Sequence, residues 1–327
     1  MTDRADETTF DRQNPDARTT SGRTASIGIL TYKRPDELDR CLDAVLSAIE
    51  EPMPGSWSVA EVLVIDNDPK GSARPVVSTT ADAMIAAIPI RYVHEPIAGV
   101  ATARNRALSE ARSDVLVFID DDEIPDDGWP DGLLTVLDET GAAMVGGPVL
   151  TEFTSPPPPW IVDGGFFRRE VPEHRSPQEW LRSGNLAIDL QQVHEAGLLF
   201  DPRYREGEDS AFTRAARAAG LDLRWSSAGA ITEFVGADRF STGWRLRREY
   251  RSNRAWTRSS LDLAEGRTGR AAARVRALAV AAVRAAQGVA RFATGLSVGR
   301  SARRVEGLAV VAGAAGRIVE ITTYRRS

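Results

Sequence analysis

Three consecutive carboxylates, Asp120, Asp121 and Asp122, close the apolar run Val115-Leu116-Val117-Phe118-Ile119. Like charges stacked at the end of a buried strand repel one another unless something offsets them. Two readings stand. The cluster is a divalent-cation site made of hard oxygen ligands, or it is a solvated turn continued by Glu123, Pro125, Asp126, Asp127 and Gly128. A second acidic motif, Glu206-Gly207-Glu208-Asp209, lies far along the chain. Asp209 is placed to serve as a carboxylate general base or, more plainly, as a helix-start residue accepting backbone N–H bonds.

The elements that must position these groups follow from periodicity. Ser26–Leu30 reads as a strand, then a turn at Thr31-Tyr32-Lys33-Arg34-Pro35, then a helix with Leu38, Cys41, Leu42, Val45 and Leu46 on one face. Glu61–Ile65 is a second strand ending in Asp66-Asn67-Asp68, and Ile90–Val93 a third. A helix from Val100 to Ala111 leads to the strand that ends at Asp120. Strands alternating with helices imply an α/β fold with a mostly parallel, Rossmann-like sheet covered on both faces. Ligands of such sheets bind beyond the carboxyl ends of the strands, where the three polar clusters would converge on one crevice. Ser155-Pro156-Pro157-Pro158-Pro159-Trp160 is read as neither helix nor central strand, and Gly164-Gly165-Phe166-Phe167 continues the irregular stretch. Trp160, Phe166 and Phe167 are acceptor-side candidates, either stacking on a sugar ring or packing within a long loop. Arg182–Ile188 returns to extended structure. A short helix near Leu190–Ala196 carries His194 on its surface, and another runs from the Glu208 region to Ala219 with Gly220 as its stop.

Composition narrows the function classes. From Gly236 onward nineteen Arg face six acids, a balance of +13, which leaves −18 on residues 1–235 of a chain whose net charge is −5. An acidic body suits a cation site and a basic tail suits an anionic surface. Cys41 is the only cysteine, so neither an intramolecular disulfide nor a cysteine-based zinc cluster can form, in keeping with a cytoplasmic setting. Residues 1–23 are polar, lack the apolar core of a secretory signal and are expected to be disordered. No G-x-G-x-x-G or G-x-x-x-x-G-K-[ST] loop is present, and His94, His174 and His194 form no nucleophile motif. The acidic crevice side argues against nucleic-acid binding.

With a sugar nucleotide in the crevice, these residues divide the work. Asp122 and Asp120 would hold Mg²⁺ or Mn²⁺ against the diphosphate, as Lewis acid and template. Asp66 would accept a hydrogen bond from the base, and Arg104 would support base or phosphates. Asp209, with Glu208 as second choice, would activate the acceptor hydroxyl, a contribution of roughly 10² to 10⁴ in rate. A single direct displacement inverts the anomeric centre.

Together the motifs resemble the family 2 inverting glycosyltransferases of GT-A fold, over about residues 25–260. The resemblance rests on Thr31-Tyr32-Lys33-Arg34-Pro35, Val64-Ile65-Asp66-Asn67, Gly99 with Ala103-Arg104-Asn105, Phe118-Ile119-Asp120-Asp121-Asp122, Gly184-Asn185 and Gly207-Glu208-Asp209. It implies nucleotide-sugar binding by Thr31, Arg34, Asp66, Arg104, Asp120 and Asp121, metal ligation by Asp120 and Asp122, and a base role for Asp209. Ile231-Thr232-Glu233-Phe234-Val235, with Trp244, Arg247, Arg248 and Tyr250 beyond it, is similar to bacterial exopolysaccharide transferases of the succinoglycan type. The implied reaction moves a hexose from a nucleoside-diphosphate sugar, UDP being the expected nucleotide, to a glycolipid or exopolysaccharide intermediate. Acceptors of a second kind are a polyprenyl phosphate or a small natural product. The alternative of another class is a non-catalytic sugar-nucleotide-binding module.

Two departures from the family pattern matter. Ala230–Val235 carries no metal-binding histidine, which leaves Glu233, a phosphate or water to complete the shell. The Q-x-x-R-W motif is absent, which favours single addition over polymerisation; Arg247 and Arg248 occupy roughly its region, as a diphosphate clamp or as solvated helix arginines.

The chain divides into a polar leader (1–23), a GT-A domain (24–260) and an amphipathic helical region (261–327). In the last, Arg270, Arg274, Arg276, Arg284, Gln287 and Arg291 share one half of a helix, opposite Val275, Leu278, Ala282, Val289 and Leu296. No apolar run approaches a spanning helix, so this region is expected to lie on an anionic membrane surface, to pack on the protein or to dimerise. The first of these places the enzyme at the inner face of the cell membrane as a peripheral protein.

Overall fold

The computed structural model describes residues 22–50, 57–83 and 88–325. All but the last two residues of the leader expected to be disordered, residues 1–21, lie outside them. The first strand, β1 (Thr24–Thr31), is followed by α1 (Pro35–Glu50), which buries Leu38, Cys41, Leu42, Val45, Leu46 and Ile49 on the spacing the sequence sets out. Then come β2 (Ser58–Asp66), α2 (Arg74–Ala83), β3 (Ile90–His94), α3 (Val100–Glu110) and β4 (Val115–Asp120). These four strands are parallel, in the order β3-β2-β1-β4. Register pairs Thr31 with Asp66 and Leu30 with Asp120, so the polar residues that end these strands stand side by side.

The chain next forms β5 (Glu123–Pro125), α4 (Asp131–Thr140), β6 (Met144–Gly146), β7 (Val149–Phe153) and α5 (Pro159–Gly164). The last of these corrects the expectation of an irregular stretch through Phe167. A proline at the first helical position has no N–H to lose there, so Pro159 starts a six-residue helix where it would break a longer one. After it come β8 (Leu186–Asp189), α6 (Leu190–Glu195), α7 (Glu208–Ala218), β9 (Leu223–Trp225) and β10 (Ile231–Val235). β8 joins β4 antiparallel and completes a seven-stranded sheet with β6 and β9; β5, β10 and β7 make a second sheet of three strands. Val62, Val64, Val115, Val117 and Ile119 pack with α1 on one face of the large sheet, and Leu63, Ile65, Leu116 and Phe118 pack with α3 on the other. This two-sided burial is what makes the strand sequences continuously apolar.

Inside the sheet, Glu61 is almost fully buried, yet it accepts hydrogen bonds from Ser26 Oγ (2.8 Å), Arg91 Nε (2.9 Å) and the Arg112 N–H (3.0 Å). Burial opposes its charge, but these bonds, Arg91 foremost, outweigh it and hold the carboxyl below the usual range.

The C-terminal part is helical throughout: a 3₁₀ turn (Ala237–Arg239), then α8 (Thr242–Asp262), α9 (Gly266–Ser297) and α10 (Ser301–Thr323). α10 packs between α8 and α9 through small residues: Gly307 lies against Gly288, Gly313 against Asn253 and Gly316 against the Tyr250 carbonyl. Glu320 of α10 is 1 % exposed and accepts hydrogen bonds from Arg254 (2.9 and 3.0 Å) and Arg258 (2.8 Å) of α8. The face of α9 carrying Val275, Leu278, Val283, Val289 and Leu296 stays exposed. Among the described residues no helix is long and apolar enough to cross a membrane.

Candidate active site

The ends of β1, β2 and β4 open into a crevice of about 1690 Å³, closed on its far side by the α5 region, the segment before β8, and α8. Of the residues singled out in the sequence, it brings together Thr31, Arg34, Arg104, Asp120, Asp121, Asp122, Asp209, Arg248, Phe166 and Phe167. Asp66, Arg247 and Trp160 are not on its wall. The Asp66 carboxylate is fully buried and accepts from the N–H groups of Asp68 (3.0 Å) and Ala73 (2.8 Å) and from Tyr92 Oη (3.0 Å). Its place on the wall is taken by Asn67. The Asn67 amide donates to the Glu95 and Ile97 carbonyls and accepts from the Gly99 N–H (2.7 Å), which fixes the loop leading into α3. Arg247 is on the exposed side of α8. Trp160 packs on Phe166, and Phe167 stacks on Trp244 at 5.7 Å.

The three aspartates have three environments. Asp122 accepts from Arg34 (3.0 Å) and from Arg239 (2.9 Å), and Arg239 continues to Glu233 (2.6 Å), which also pairs with Arg169. Asp121 is buried and takes Arg34 at 3.2 Å; desolvation pushes its carboxyl up to about 6, with Arg34 pulling against the rise. Among the described residues Asp121 Oδ2 and Thr31 Oγ1 are buried without hydrogen-bond partners of good geometry, though the Thr31 hydroxyl is near enough to Asp121 to oppose the rise of its carboxyl. Asp120 lies 3.6 Å from Arg104, and its backbone N–H donates to Glu123 (2.9 Å). Desolvation raises the Asp120 carboxyl above its ordinary range; Arg104 opposes this, and Asp122, Glu233 and Asp209 add to it. Glu123 is 3 % exposed and pushed well up by burial, then by Asp120. It presses on Gly184 so closely that a Cβ there would meet its carboxylate at 2.7 Å, which explains the glycine.

Arg104 and α7 join the two acidic motifs. Arg104 is 4 % exposed on α3, pairs with Glu208 and reaches toward Asp120. Glu208 is therefore locked in a buried ion pair at the helix start. Gly207, at φ +71°, turns the chain into α7, and a Cβ there would strike Ala255 of α8 at 2.8 Å. Asp209 follows in the first helical turn. Its Oδ1 accepts from the Ser210 N–H (2.6 Å) and Oγ (3.2 Å), while Oδ2 has no partner among the described residues. The second reading, a helix-start carboxylate, thus holds for one oxygen and leaves the other to the crevice.

Sequence reasoning missed Glu123, Arg169, Arg182, Arg239 and Arg245, all on the wall. Arg239 is 117 residues from the Asp122 it contacts, and no local pattern marks such a pairing.

Comparison with known proteins agrees with this geometry. The model of glycosyl transferase family 2 matches residues 26–189. The succinoglycan biosynthesis protein ExoM of Rhizobium meliloti is 32 % identical over 250 residues, 73 % of this chain and 76 % of ExoM. The chain belongs to glycosyl transferase family 2. The glycosyltransferase AglE of Haloferax volcanii is 27 % identical over 212 residues, which span 62 % of this chain and 64 % of AglE. Two solved structures share the GT-A fold at low identity. GalNAc-T7 with UDP, GalNAc and Mn²⁺ has a TM-score of 0.53 at 13 % identity, over 73 % of this chain and 48 % of that one. S. aureus TarS 1-349 has 0.51 at 12 %, over 88 % and 90 %.

Proposed function

We propose that this glycosyltransferase moves a hexose from a nucleoside-diphosphate sugar, with UDP the expected nucleotide, to a hydroxyl of a glycolipid or exopolysaccharide intermediate, inverting the anomeric centre. The observation that carries the reading is Asp209: a carboxylate with one oxygen held and one free, in the same crevice as Asp120–Asp122 and connected to them through Glu208 and Arg104. The free oxygen is available to take the proton of the acceptor hydroxyl as that oxygen attacks the anomeric carbon. Arg34, half in solvent beside Asp121 and Asp122, is positioned to meet phosphate oxygens. Thr31 Oγ1, buried and without a partner of good geometry among the described residues, offers the donor a further polar contact.

The donor set suits a divalent cation. Asp120 and Asp122 supply hard oxygen ligands on a wall that also carries Glu233 and Asp209. Among the described residues no three Asp, Glu, His or Cys side chains form a complete cage, so the donor's phosphates would complete the coordination of Mg²⁺ or Mn²⁺. Bound there, the ion supplies Lewis-acid stabilisation of the leaving diphosphate. Arg34 and Arg239 hold Asp122 in place from either side.

The acceptor side supports a membrane-borne substrate. α9 exposes Val275, Leu278, Val283, Val289 and Leu296, and the span from Gly266 to Thr323 carries ten arginines and two glutamates. An apolar stripe beside excess positive charge matches an anionic lipid surface at the inner face of the cell membrane.

The deciding experiment is nucleoside-diphosphate release from a panel of sugar nucleotides with Mn²⁺, Mg²⁺ or EDTA. Cation-dependent release from one donor is expected. A protein that binds a sugar nucleotide and never releases the diphosphate, with any acceptor extract, would be the non-catalytic module instead.

A further inference from the structure

The wall of the crevice opposite the strand ends is crowded with arginine. Arg169 and Arg182 come from the segment between α5 and β8, and Arg245 and Arg248 from α8. Arg169 shares Glu233 with Arg239, and Arg245 pairs with Glu249 at 3.0 Å. Among the described residues Arg182 and Arg248 form no ion pair; Arg182 lies over the Trp180 ring at 4.9 Å and Arg248 over Trp244 at 5.1 Å. Burial weighs most on both guanidiniums; beyond it Arg248 is drawn by Glu233 and repelled by Arg169, Arg245 and Arg182, while Arg182 is repelled by Arg169 and drawn by Asp209 and Glu233. Among the described residues Arg245 Nε is buried without a hydrogen-bond partner.

Guanidinium groups collected from two elements, packed on aromatic faces and short of acids, store repulsion that an anion would relieve. Position decides which anion. The ion-pair chain runs Arg34, Asp122, Arg239, Glu233, Arg169, so Arg239 and Glu233 stand between the aspartates and this cluster. Arg182 follows Leu181, whose N–H donates to Thr213 Oγ1 (3.0 Å), and that hydroxyl donates to the Asp209 carbonyl (3.0 Å), so Arg182 faces Asp209 as well as Glu233. The group beside the base is the acceptor.

We propose that Arg182 and Arg248 form an anion subsite for the acceptor, which therefore carries a phosphate-type or carboxylate group near the sugar that is extended. Trp180 and Trp244 hold the two guanidiniums in place from behind, as positioning groups. The inference rests on the transferase reading for the word acceptor, but the anion subsite itself is testable without turnover.

The probes are phenyl phosphate and glucuronate, titrated calorimetrically into the full chain, alone and with saturating UDP and Mn²⁺. Binding of at least one probe is expected, unchanged within twofold by UDP and weakened tenfold or more in the double variant R182Q/R248Q. Phenyl phosphate as the tighter probe points to a phosphate linking glycan to lipid, glucuronate as the tighter one to an acidic sugar; both results support the subsite. Competition between probe and UDP, or loss of UDP affinity in the variant, would assign the arginines to the donor and overturn the proposal. Failure of both probes to bind would also overturn it. Failure of UDP alone would count against the donor reading and leave the subsite standing. Because neither arginine forms an ion pair among the described residues, the melting temperature of the ligand-free variant should stay within a few degrees of wild type; a large drop would show that both are structural and would sink the assignment.

Discussion

The two walls of the crevice are built differently and charged differently. One is made by the ends of β1, β2 and β4, which bring Thr31, Asn67 and Asp120 to it, and it is rich in acids already paired with Arg34, Arg104 and Arg239. The other is made by α5, the segment before β8, and α8. It carries aromatic rings and arginines, two of which form no ion pair among the described residues. The contrast teaches a division of labour: an acidic wall that gathers a cation and its diphosphate, a basic aromatic wall that receives a glycan, and Asp209 where they meet.

The comparison breaks most sharply at Asp122. Asp122→Ala is expected to lower cation-dependent nucleoside-diphosphate release by about 10³-fold, several kcal/mol of lost charge stabilisation. Release that survives intact would move the cation elsewhere. Arg104→Met tests the bridge between the two acidic motifs. It strands the buried Glu208, and urea unfolding should show a loss of about 3–5 kcal/mol. A loss under about 1 kcal/mol would mean that α7 is held by other contacts.

Glu61 lies outside both walls and gives a control within the sheet. Its folded carboxyl titrates below the unfolded one, so its contribution is full above the unfolded value and fades as pH falls through the folded value. Glu61→Gln should cost about 1–3 kcal/mol at neutral pH and flatten the acid limb of the stability profile. An unchanged acid limb would show that the hydrogen bonds from Ser26 and Arg91 do not set its charge. The smallest structural effect belongs to the exposed face of α9. Val289→Asp should change stability by about 0.5 kcal/mol or less while reducing sedimentation with anionic vesicles. Equal sedimentation of both proteins would remove the membrane from the account.

The acidic wall was legible in the sequence because it is local: an apolar run of five residues ending in three aspartates defines both the strand and the site at its tip. Glu206-Gly207-Glu208-Asp209 was visible as a second acidic motif, and family resemblance chose between its two readings, which no short-range pattern separates. The basic wall, and the arginines that tie it to the acidic one, were largely hidden. Arg239 meets Asp122 across 117 residues and Arg169 meets Glu233 across 64, contacts that only the assembled fold creates. Pro159 misled for a related reason: proline signals a break within a helix and a beginning at its first turn, and position alone separates the two. Asp66 reads as an exposed strand-end acid but folds inward, because the N–H groups of Asp68 and Ala73 and the Tyr92 hydroxyl converge on it.

The most direct test of the central claim is Asp209→Asn, measured for UDP affinity in the presence of Mn²⁺ and for sugar transfer in the same preparation. The account predicts UDP affinity within about twofold of wild type and transfer reduced by roughly 10² to 10⁴. Full transfer by the variant would remove Asp209 as the base and separate the two acidic motifs that the site is built upon.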